Sequence, residues 1–332
     1  QTGELVEHYL YNVRDSDGVG SDSVWSMLLD NENRLWLGYY ENGLGFFDTH
    51  HSKFESIQRE EVKNSIHTND IKAFAKAEDG NIWIAQINGI DILNPNNGKV
   101  TNVYGTQNSK YKGLKSGLYV EDIFIDSRGN VWIATWGDGV FFLKKGRKTF
   151  LNFNKDNTSG VLRTDKVRCF AENGDGKIWI GSFLEGIFYF DYDTGKIYAP
   201  SGVSYNSSDV INKDVKVVYN DSSGYIWIGT SSGLYHIENQ SSNEYIVAAH
   251  NDSISSKFAG HPSSSRILDI YETQDGTVWC GTNGGGLFEF NRDKKCFEPL
   301  ELEGYDLSFV NAIIEPVKNE LWVSSKPVSY TH

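Results

Sequence analysis

The chain repeats one pattern of apolar and polar positions seven times. In each copy a tryptophan stands inside a short apolar run, such as LWLGYY around Trp36 and IWIGSF around Trp179. Successive tryptophans lie 43 to 52 residues apart, at Trp36, Trp83, Trp132, Trp179, Trp227, Trp279 and Trp322. A period in this range predicts a repeat architecture, in which the tryptophans are repeated for packing.

Alignment of the copies on the tryptophan predicts four strands in each repeat. Twelve residues before it every copy has Val or Ile, and nine before it every copy has an apolar residue, which predicts a first strand. A turn rich in Gly and Asn leads into the second strand, which carries the tryptophan. A glycine six or seven residues later opens a third strand, and a weaker fourth follows. No segment has the 3.6-residue period of a helix, so the repeat is typical of an antiparallel propeller blade.

We therefore expect an all-β fold, a seven-bladed β-propeller of four-stranded antiparallel blades in a single domain over 1–332. The expected blades are about 21–58, 68–105, 118–154, 165–200, 213–249, 265–300 and 308–332. The last repeat has only two clear strands. The N-terminal segment 5–11 (LVEHYLY) has the pattern of a fourth strand, so we expect the last blade to be shared between the two ends of the chain. The sequence does not decide whether that blade closes.

The composition of the chain argues against some classes of binding partner. The net charge is −13 and the pI about 5.1, without a basic block, which argues against nucleic acid. No apolar run approaches the roughly 20 residues of a membrane span, so this part should not insert into a membrane. The chain starts at Gln1 and its only methionine is Met27, which indicates a processed or excised product. Cys169 and Cys280 are expected to be buried thiols. No cofactor or metal is expected, because the eight histidines show no paired spacing.

The repeat resembles that of the two-component regulator propellers. The shared pattern is D-x-x-G-x-[IV]-W-[IL]-G-[TS] followed by a Gly-Leu or Gly-Ile pair, and the clearest copy is 221–235 (DSSGYIWIGTSSGLY). The copy around Trp179 follows the pattern closely as well. Departures are Ala85, Ala134 and Ser324, where the family prefers Gly, and the tail KPVSYTH.

This resemblance implies a function. Propellers of that family form the extracytoplasmic sensor of hybrid two-component systems in glycan-degrading bacteria, usually as two propellers before a β-sandwich, a membrane helix and a histidine kinase. The chain would then be the N-terminal propeller, periplasmic as part of an inner-membrane protein. Its partners would be an oligosaccharide or other small ligand, a second propeller and a β-sandwich of the same parent chain, and a second receptor in a dimer. The chain itself would not be an enzyme.

Candidate site residues lie where the repeats differ. The loops between the second and third strands present an aromatic residue beside a carboxylate, an arrangement that suits a sugar because the ring stacks on C–H faces while polar groups bind hydroxyls. These residues are Tyr40, Trp136, Asp138, Phe183 and Glu185.

A second candidate set stands eleven residues before the tryptophans. Its members are Trp25, Lys72, Glu121, Arg168 and Lys216, followed by Leu268 and Asn311. Charged residues are rarely buried unpaired, so this ring should line a wet central shaft. One interpretation is a solvated channel in which Glu121 pairs with a neighbouring Lys or Arg, and the other is the floor of a ligand site.

Two rival functions stay open. A seven-bladed lyase that opens cyclic antibiotics uses histidines and a metal on the same face, and a hydrolase could use that face as well. Alternatively, the chain is a scaffold and the ligand site lies entirely on a second propeller. Asp30, Asp126 and Asp221 lie six residues before their tryptophans, which differs from the spacing of sialidase Asp-boxes.

Overall fold

The fold is all-β, with 26 strands and no helix in the part of the chain that the computed structural model describes. The described residues are 5–15, 17–48, 53–60, 65–103, 110–200, 214–240, 244–249, 266–302, 305 and 307–325. Consequently, this part contains no helix that is long and apolar enough to cross a membrane.

The first three blades are four-stranded antiparallel sheets in which strands adjacent in sequence pair with one another. Blade 1 contains β1 (Val24–Leu29), β2 (Leu35–Tyr39), β3 (Leu44–Asp48) and β4 (Lys53–Ile57). Blade 2 contains β5 (Ile71–Lys76), β6 (Ile82–Gln86), β7 (Gly89–Asn94) and β8 (Lys99–Asn102). Blade 3 contains β9 (Val120–Ile125), β10 (Val131–Thr135), β11 (Val140–Leu143) and β12 (Leu151–Phe153).

The next three blades repeat this order, and a two-stranded sheet follows them. Blade 4 contains β13 (Val167–Glu172), β14 (Ile178–Ser182), β15 (Ile187–Asp191) and β16 (Lys196–Tyr198). Blade 5 contains β17 (Val215–Asn220), β18 (Ile226–Thr230), β19 (Gly233–Gln240) and β20 (Glu244–Ala249). Blade 6 contains β21 (Ile267–Glu272), β22 (Val278–Thr282), β23 (Leu287–Asn291) and β24 (Cys296–Leu300). The seventh sheet contains β25 (Val310–Val317) and β26 (Glu320–Ser325).

The first strand of each sheet lies innermost, and the seven inner strands contact one another in cyclic order. β25 closes the ring because it contacts both β21 and β1. The loops that enter each inner strand and those that join each second and third strand therefore meet at one end of the central shaft. We call this end the loop face.

The structure has six blades, not the seven that the sequence predicts. The seventh repeat forms only a two-stranded sheet, and segment 5–11 is not a strand. A fourth strand pairs only with a third, and the described residues contain no third strand here; the tail 326–332 lies outside them. The segment instead packs by side chains, since Tyr9 stacks on Trp322 with ring centroids 5.6 Å apart.

The repeated tryptophans fill the spaces between sheets, as predicted. Trp36, Trp132, Trp179 and Trp227 are at most 2% exposed. Three of the seven indoles are anchored by the Asp six residues earlier, whose carboxylate accepts a hydrogen bond from Nε1 at 2.8 to 3.0 Å. These pairs are Asp30 with Trp36, Asp126 with Trp132, and Asp221 with Trp227. The prediction of buried thiols at Cys169 and Cys280 is also confirmed.

Glycine is required where the third strand begins. Gly139 has a φ of +75°, a conformation that residues with a side chain rarely adopt. A Cβ at this position would also collide with the carbonyl oxygen of Phe153 on the facing strand β12. Gly43 of blade 1 has the same constraint, with a φ of +76°.

Candidate functional site

Every inner strand contains a β-bulge at the same position. In blade 1, Val24 pairs with Tyr39 and Ser26 pairs with Gly38, so Trp25 is the extra residue. The equivalent extra residues are Lys72, Glu121, Arg168, Lys216, Leu268 and Asn311. A bulge changes the direction of a side chain. The residue eleven positions before each tryptophan therefore need not point into the core like the buried residue that precedes it.

The first aromatic cluster joins blades 1 and 2. The rings of Trp25 and Tyr40 stack with centroids 4.8 Å apart and an interplanar angle of 12°, and they remain 38% and 40% exposed. The Nζ atom of Lys72 lies 4.1 Å from the centroid of the Trp25 ring and 5.5 Å from that of Tyr119. Burial lowers the pKa of Lys72, while the carboxylates of Glu121 and Asp70 oppose this shift.

An ion-pair network crosses the inner strands of blades 3 to 5. The guanidinium of Arg168 contacts Glu121 at 3.0 Å and Asp214 at 3.1 Å. Lys216 contacts Asp214 at 2.8 Å. The expected pairing of Glu121 with a neighbouring basic residue is therefore confirmed, and the network holds two of the predicted cations in fixed positions.

The second aromatic cluster joins blades 3 and 4. The ring centroids of Trp136 and Phe183 are 4.8 Å apart, and both residues are partly buried. Two cations lie over Trp136, with Cζ of Arg168 at 4.5 Å and Nζ of Lys166 at 4.6 Å from the ring centroid. The backbone N–H of Trp136 donates to the carbonyl of Tyr119 at 2.9 Å. Trp136 thus packs on neighbouring loops and also borders the loop face.

Two predicted carboxylates are engaged elsewhere. Asp138 pairs with Lys115, and Glu185 lies 4.0 Å from Arg163. Within the described residues neither carboxylate bonds to the charged groups at the aromatic clusters. The structure therefore brings together Trp25, Tyr40 and Lys72, and links Glu121, Arg168, Lys216, Trp136 and Phe183, while Asp138 and Glu185 face basic loop residues.

Sequence reasoning missed three residues at this face, namely Tyr119, Lys166 and Asp214. All three stand thirteen residues before a repeated tryptophan. This position flanks the buried β-branched residue on its other side, and its occupants are Ser23, Asp70, Tyr119, Lys166, Asp214, Arg266 and Phe309. Comparison of the aligned repeats would also have found this position, because its occupants vary from repeat to repeat as those of the bulge position do.

The geometry suits binding of a ring-bearing polar molecule. Exposed aromatic faces lie beside fixed charges, and aromatic rings of this kind bind apolar faces while nearby polar groups fix orientation. No group of three or more His, Cys, Asp or Glu side chains that could hold a metal ion occurs among the residues described.

Comparison with solved structures supports the propeller fold. The extracellular domain of a putative hybrid two-component system from B. thetaiotaomicron is 21% identical with a TM-score of 0.74, over 96% of this chain and 41% of that one. A virginiamycin B lyase from Staphylococcus aureus is 12% identical with a TM-score of 0.67, over 96% and 95% of the two chains. At these identities the likeness concerns the fold alone.

Comparison of sequences identifies the repeats. A histidine kinase P4 from Formosa agariphila is 26% identical over 319 residues, which are 94% of this chain but only 22% of that protein. The profile described as two component regulator propeller matches residues 113–137, 209–232 and 261–284. The chain is thus a β-propeller in which three segments match the two-component regulator propeller repeat.

Proposed function

We propose that this chain is the extracytoplasmic, ligand-sensing propeller of a hybrid two-component receptor, and that its loop face binds a glycan fragment. The observation that carries this proposal is the stacked pair of Trp25 and Tyr40, which remains more than a third exposed at the loop face. Large aromatic side chains are normally buried, and five of the seven repeated tryptophans of this chain are buried. An exposed stacked pair beside charged groups is a suitable platform for a sugar ring.

The platform is also held in place, which favours binding. Stacking on Tyr40 and the contact with Lys72 restrict the rotamers of Trp25. A preorganised aromatic face loses little conformational entropy when a ligand binds, so more of the contact energy is available for affinity. The same holds for Trp136, which is restrained by Phe183 and two cations.

The proposal extends to the parent protein. The chain spans about a fifth of the curated kinase and 41% of the extracellular domain it resembles, so further domains are expected beside it. We propose one propeller domain over 1–332, followed by a second propeller and a β-sandwich, in a dimeric periplasmic receptor of the inner membrane. Binding would bias that dimer between two arrangements and so control a distant kinase and the transcription it regulates.

Calorimetry with a panel of oligosaccharides, on this chain and on the full ectodomain, tests the proposal. At least one saccharide should bind this chain, and Trp25→Ala and Tyr40→Ala should each weaken binding about tenfold, a loss of about 1.4 kcal/mol. Leu151→Ala is the control, because it removes an exposed apolar side chain from the outer strand β12. Binding by the ectodomain that neither aromatic substitution affects would place the ligand on another domain.

The rival functions predict different results. Products released from a glycan or a cyclic peptide would establish a hydrolase or a lyase and contradict a sensor that only binds. A scaffold would bind no saccharide in isolation, and its aromatic substitutions would leave ectodomain binding unchanged.

A further inference from the structure

The cations of the loop face fall into two classes. Arg168 and Lys216 are neutralised, since they form ion pairs with Glu121 and Asp214. Lys72 and Lys166 differ from them, because in the described part of the chain neither ammonium has a carboxylate within ion-pair distance. Both are nevertheless partly buried.

Aromatic rings hold these two ammonium groups at the face. Lys72 lies between Trp25 and Tyr119, 4.1 and 5.5 Å from their ring centroids. Lys166 lies 4.6 Å from the centroid of Trp136 and 5.2 Å from that of Phe183. A lysine in solvent is mobile, and ordering its long side chain costs roughly 1.5–2 kcal/mol of entropy. The ring contacts, worth about 0.5–2 kcal/mol each, offset this cost and fix each charge beside an aromatic face.

The charge around the shaft opposes that of the whole chain. The positions eleven and thirteen residues before the tryptophans carry five cations and three carboxylates, whereas the chain has a net charge of −13. The cations are Lys72, Lys166, Arg168, Lys216 and Arg266, and the carboxylates are Asp70, Glu121 and Asp214. Positive charge is therefore in excess at these two positions, although the chain as a whole is acidic.

We propose that the ligand is an acidic oligosaccharide, whose anionic groups pair with Lys72 and Lys166 while its sugar rings contact Trp25 and Trp136. This inference rests on the proposed function and specifies the ligand class of the same site. A neutral sugar would offer neither ammonium group an ion pair. An acidic sugar supplies an anionic partner for the ammonium groups and an apolar ring face for the aromatic rings.

The test compares three probes of equal length by calorimetry on this chain and on the full ectodomain. The probes are a tetrasaccharide of hexuronic acids, its carboxyl-reduced neutral form, and a sulfated tetrasaccharide with a neutral backbone. We expect the acidic probes to bind at least about tenfold more tightly than the neutral one. Raising NaCl from about 50 mM to about 500 mM should remove most of that advantage, because added salt screens the pairing. The ratio of the two acidic affinities tells carboxylate from sulfate.

The variants Lys72→Gln and Lys166→Gln should each weaken acidic binding about fivefold to tenfold and leave neutral binding within about twofold. Lys72→Arg should retain the preference. Lys177→Gln is the matched control, because Lys177 also lies over an aromatic ring, 5.2 Å from the centroid of Tyr189, but it precedes β14 at the opposite end of the shaft. Unfolding midpoints equal to that of the unsubstituted protein would show that each variant folds.

The outcomes separate this inference from the proposed function. Equal affinity for the acidic and neutral probes, or acidic binding that both lysine variants leave unchanged, would overturn the acidic-ligand proposal while the glycan sensor stands. No binding of any probe or panel sugar to either protein would overturn both proposals.

Discussion

The carboxylate of Asp126 organises the turn between β9 and β10 and anchors the buried indole that follows. It accepts hydrogen bonds from the backbone N–H groups of Arg128 and Asn130 at 3.0 and 2.8 Å, and from Nε1 of Trp132 at 2.8 Å. The amide of Asn130 and the hydroxyl of Tyr192 also donate to it. Asp126 is only 4% exposed, so Asp126→Ala would leave these donors facing a methyl group.

The expected loss follows from how many of these donors stay buried. A buried donor left without an acceptor costs about 1–3 kcal/mol. The N–H of Arg128 lies in an exposed part of the turn, where water can replace the carboxylate, and the hydroxyl of Tyr192 can rotate. Nε1 of Trp132 and the backbone N–H of Asn130 are buried, so neither of them gains another acceptor from water or by rotation. We therefore expect Asp126→Ala to lower the free energy of unfolding by about 4 kcal/mol, which is large for a single substitution.

Urea unfolding followed by tryptophan fluorescence at pH 7 measures this loss, provided that the dependence on urea is unchanged. Asp193→Ala is the control, because Asp193 is an exposed carboxylate in the turn between β15 and β16, and its loss should cost less than about 0.5 kcal/mol. A loss below about 1 kcal/mol for Asp126→Ala would refute the view that the buried donors depend on this carboxylate.

Three further substitutions test other parts of the structure. Gly139→Ala should lower the free energy of unfolding by more than about 2 kcal/mol, whereas Gly146→Ala, with a similar φ of +77° but open space around it, should cost about 1 kcal/mol in the same urea assay. Burial raises the pKa of Asp269 to about 7, so the native state binds a proton that the unfolded state has lost, and stability should fall as the pH rises from about 4 to about 7. The Asp269→Asn variant should show a smaller fall in its free energy of unfolding across this range. An unchanged pH dependence in this variant would contradict the role of Asp269. Arg168→Met should cost about 2 kcal/mol, because it leaves partly buried carboxylates without their guanidinium, and adding Glu121→Gln should restore part of this loss in a double-mutant cycle.

The blades could be predicted from the sequence because their information is local and repeated. The spacing between the inner strand and the tryptophan is constant, so a single alignment places strands such as β14 and β18 within a residue or two. The buried tryptophans and the glycines that open the third strands follow from the same alignment. Local pattern and tertiary packing agree at these positions, which is why the pattern is a reliable guide.

The two strands of the seventh sheet were predicted, but the fourth strand expected from segment 5–11 was wrong, since strand formation depends on a partner as well as a pattern. The segment LVEHYLY alternates like a fourth strand, yet its Tyr9 contacts Trp322 and Phe54 by ring packing and forms no ladder. Hydrophobic patterning reports which side chains will be buried. It does not report whether the neighbouring backbone groups are available for pairing.

The candidate site was predicted in part for a related reason. Trp25, Lys72 and Arg168 were selected because they break an apolar pattern, and the bulge explains how they do so. Their partners at the flanking position were missed because Tyr119 and Lys166 stand just before the strands, although this position varies along the repeats as the bulge position does. The pairing of each cation with an aromatic ring depends on contacts between blades. No single repeat determines those contacts.

The bulge separates recognition from packing along each inner strand. The extra residue lies outside the ladder, so its identity varies from Trp25 to Lys72 without changing the pairing beside it. The next residue has the opposite role. Asp122 and Asp269 accept hydrogen bonds from backbone N–H groups of the adjacent inner strands, at 3.2 Å and 2.7 Å, and so join neighbouring sheets. Substitution of bulge residues outside the ion-pair network, such as Trp25 and Lys72, should therefore change ligand preference with little loss of stability. Substitution one residue later should instead weaken the contacts that join neighbouring sheets.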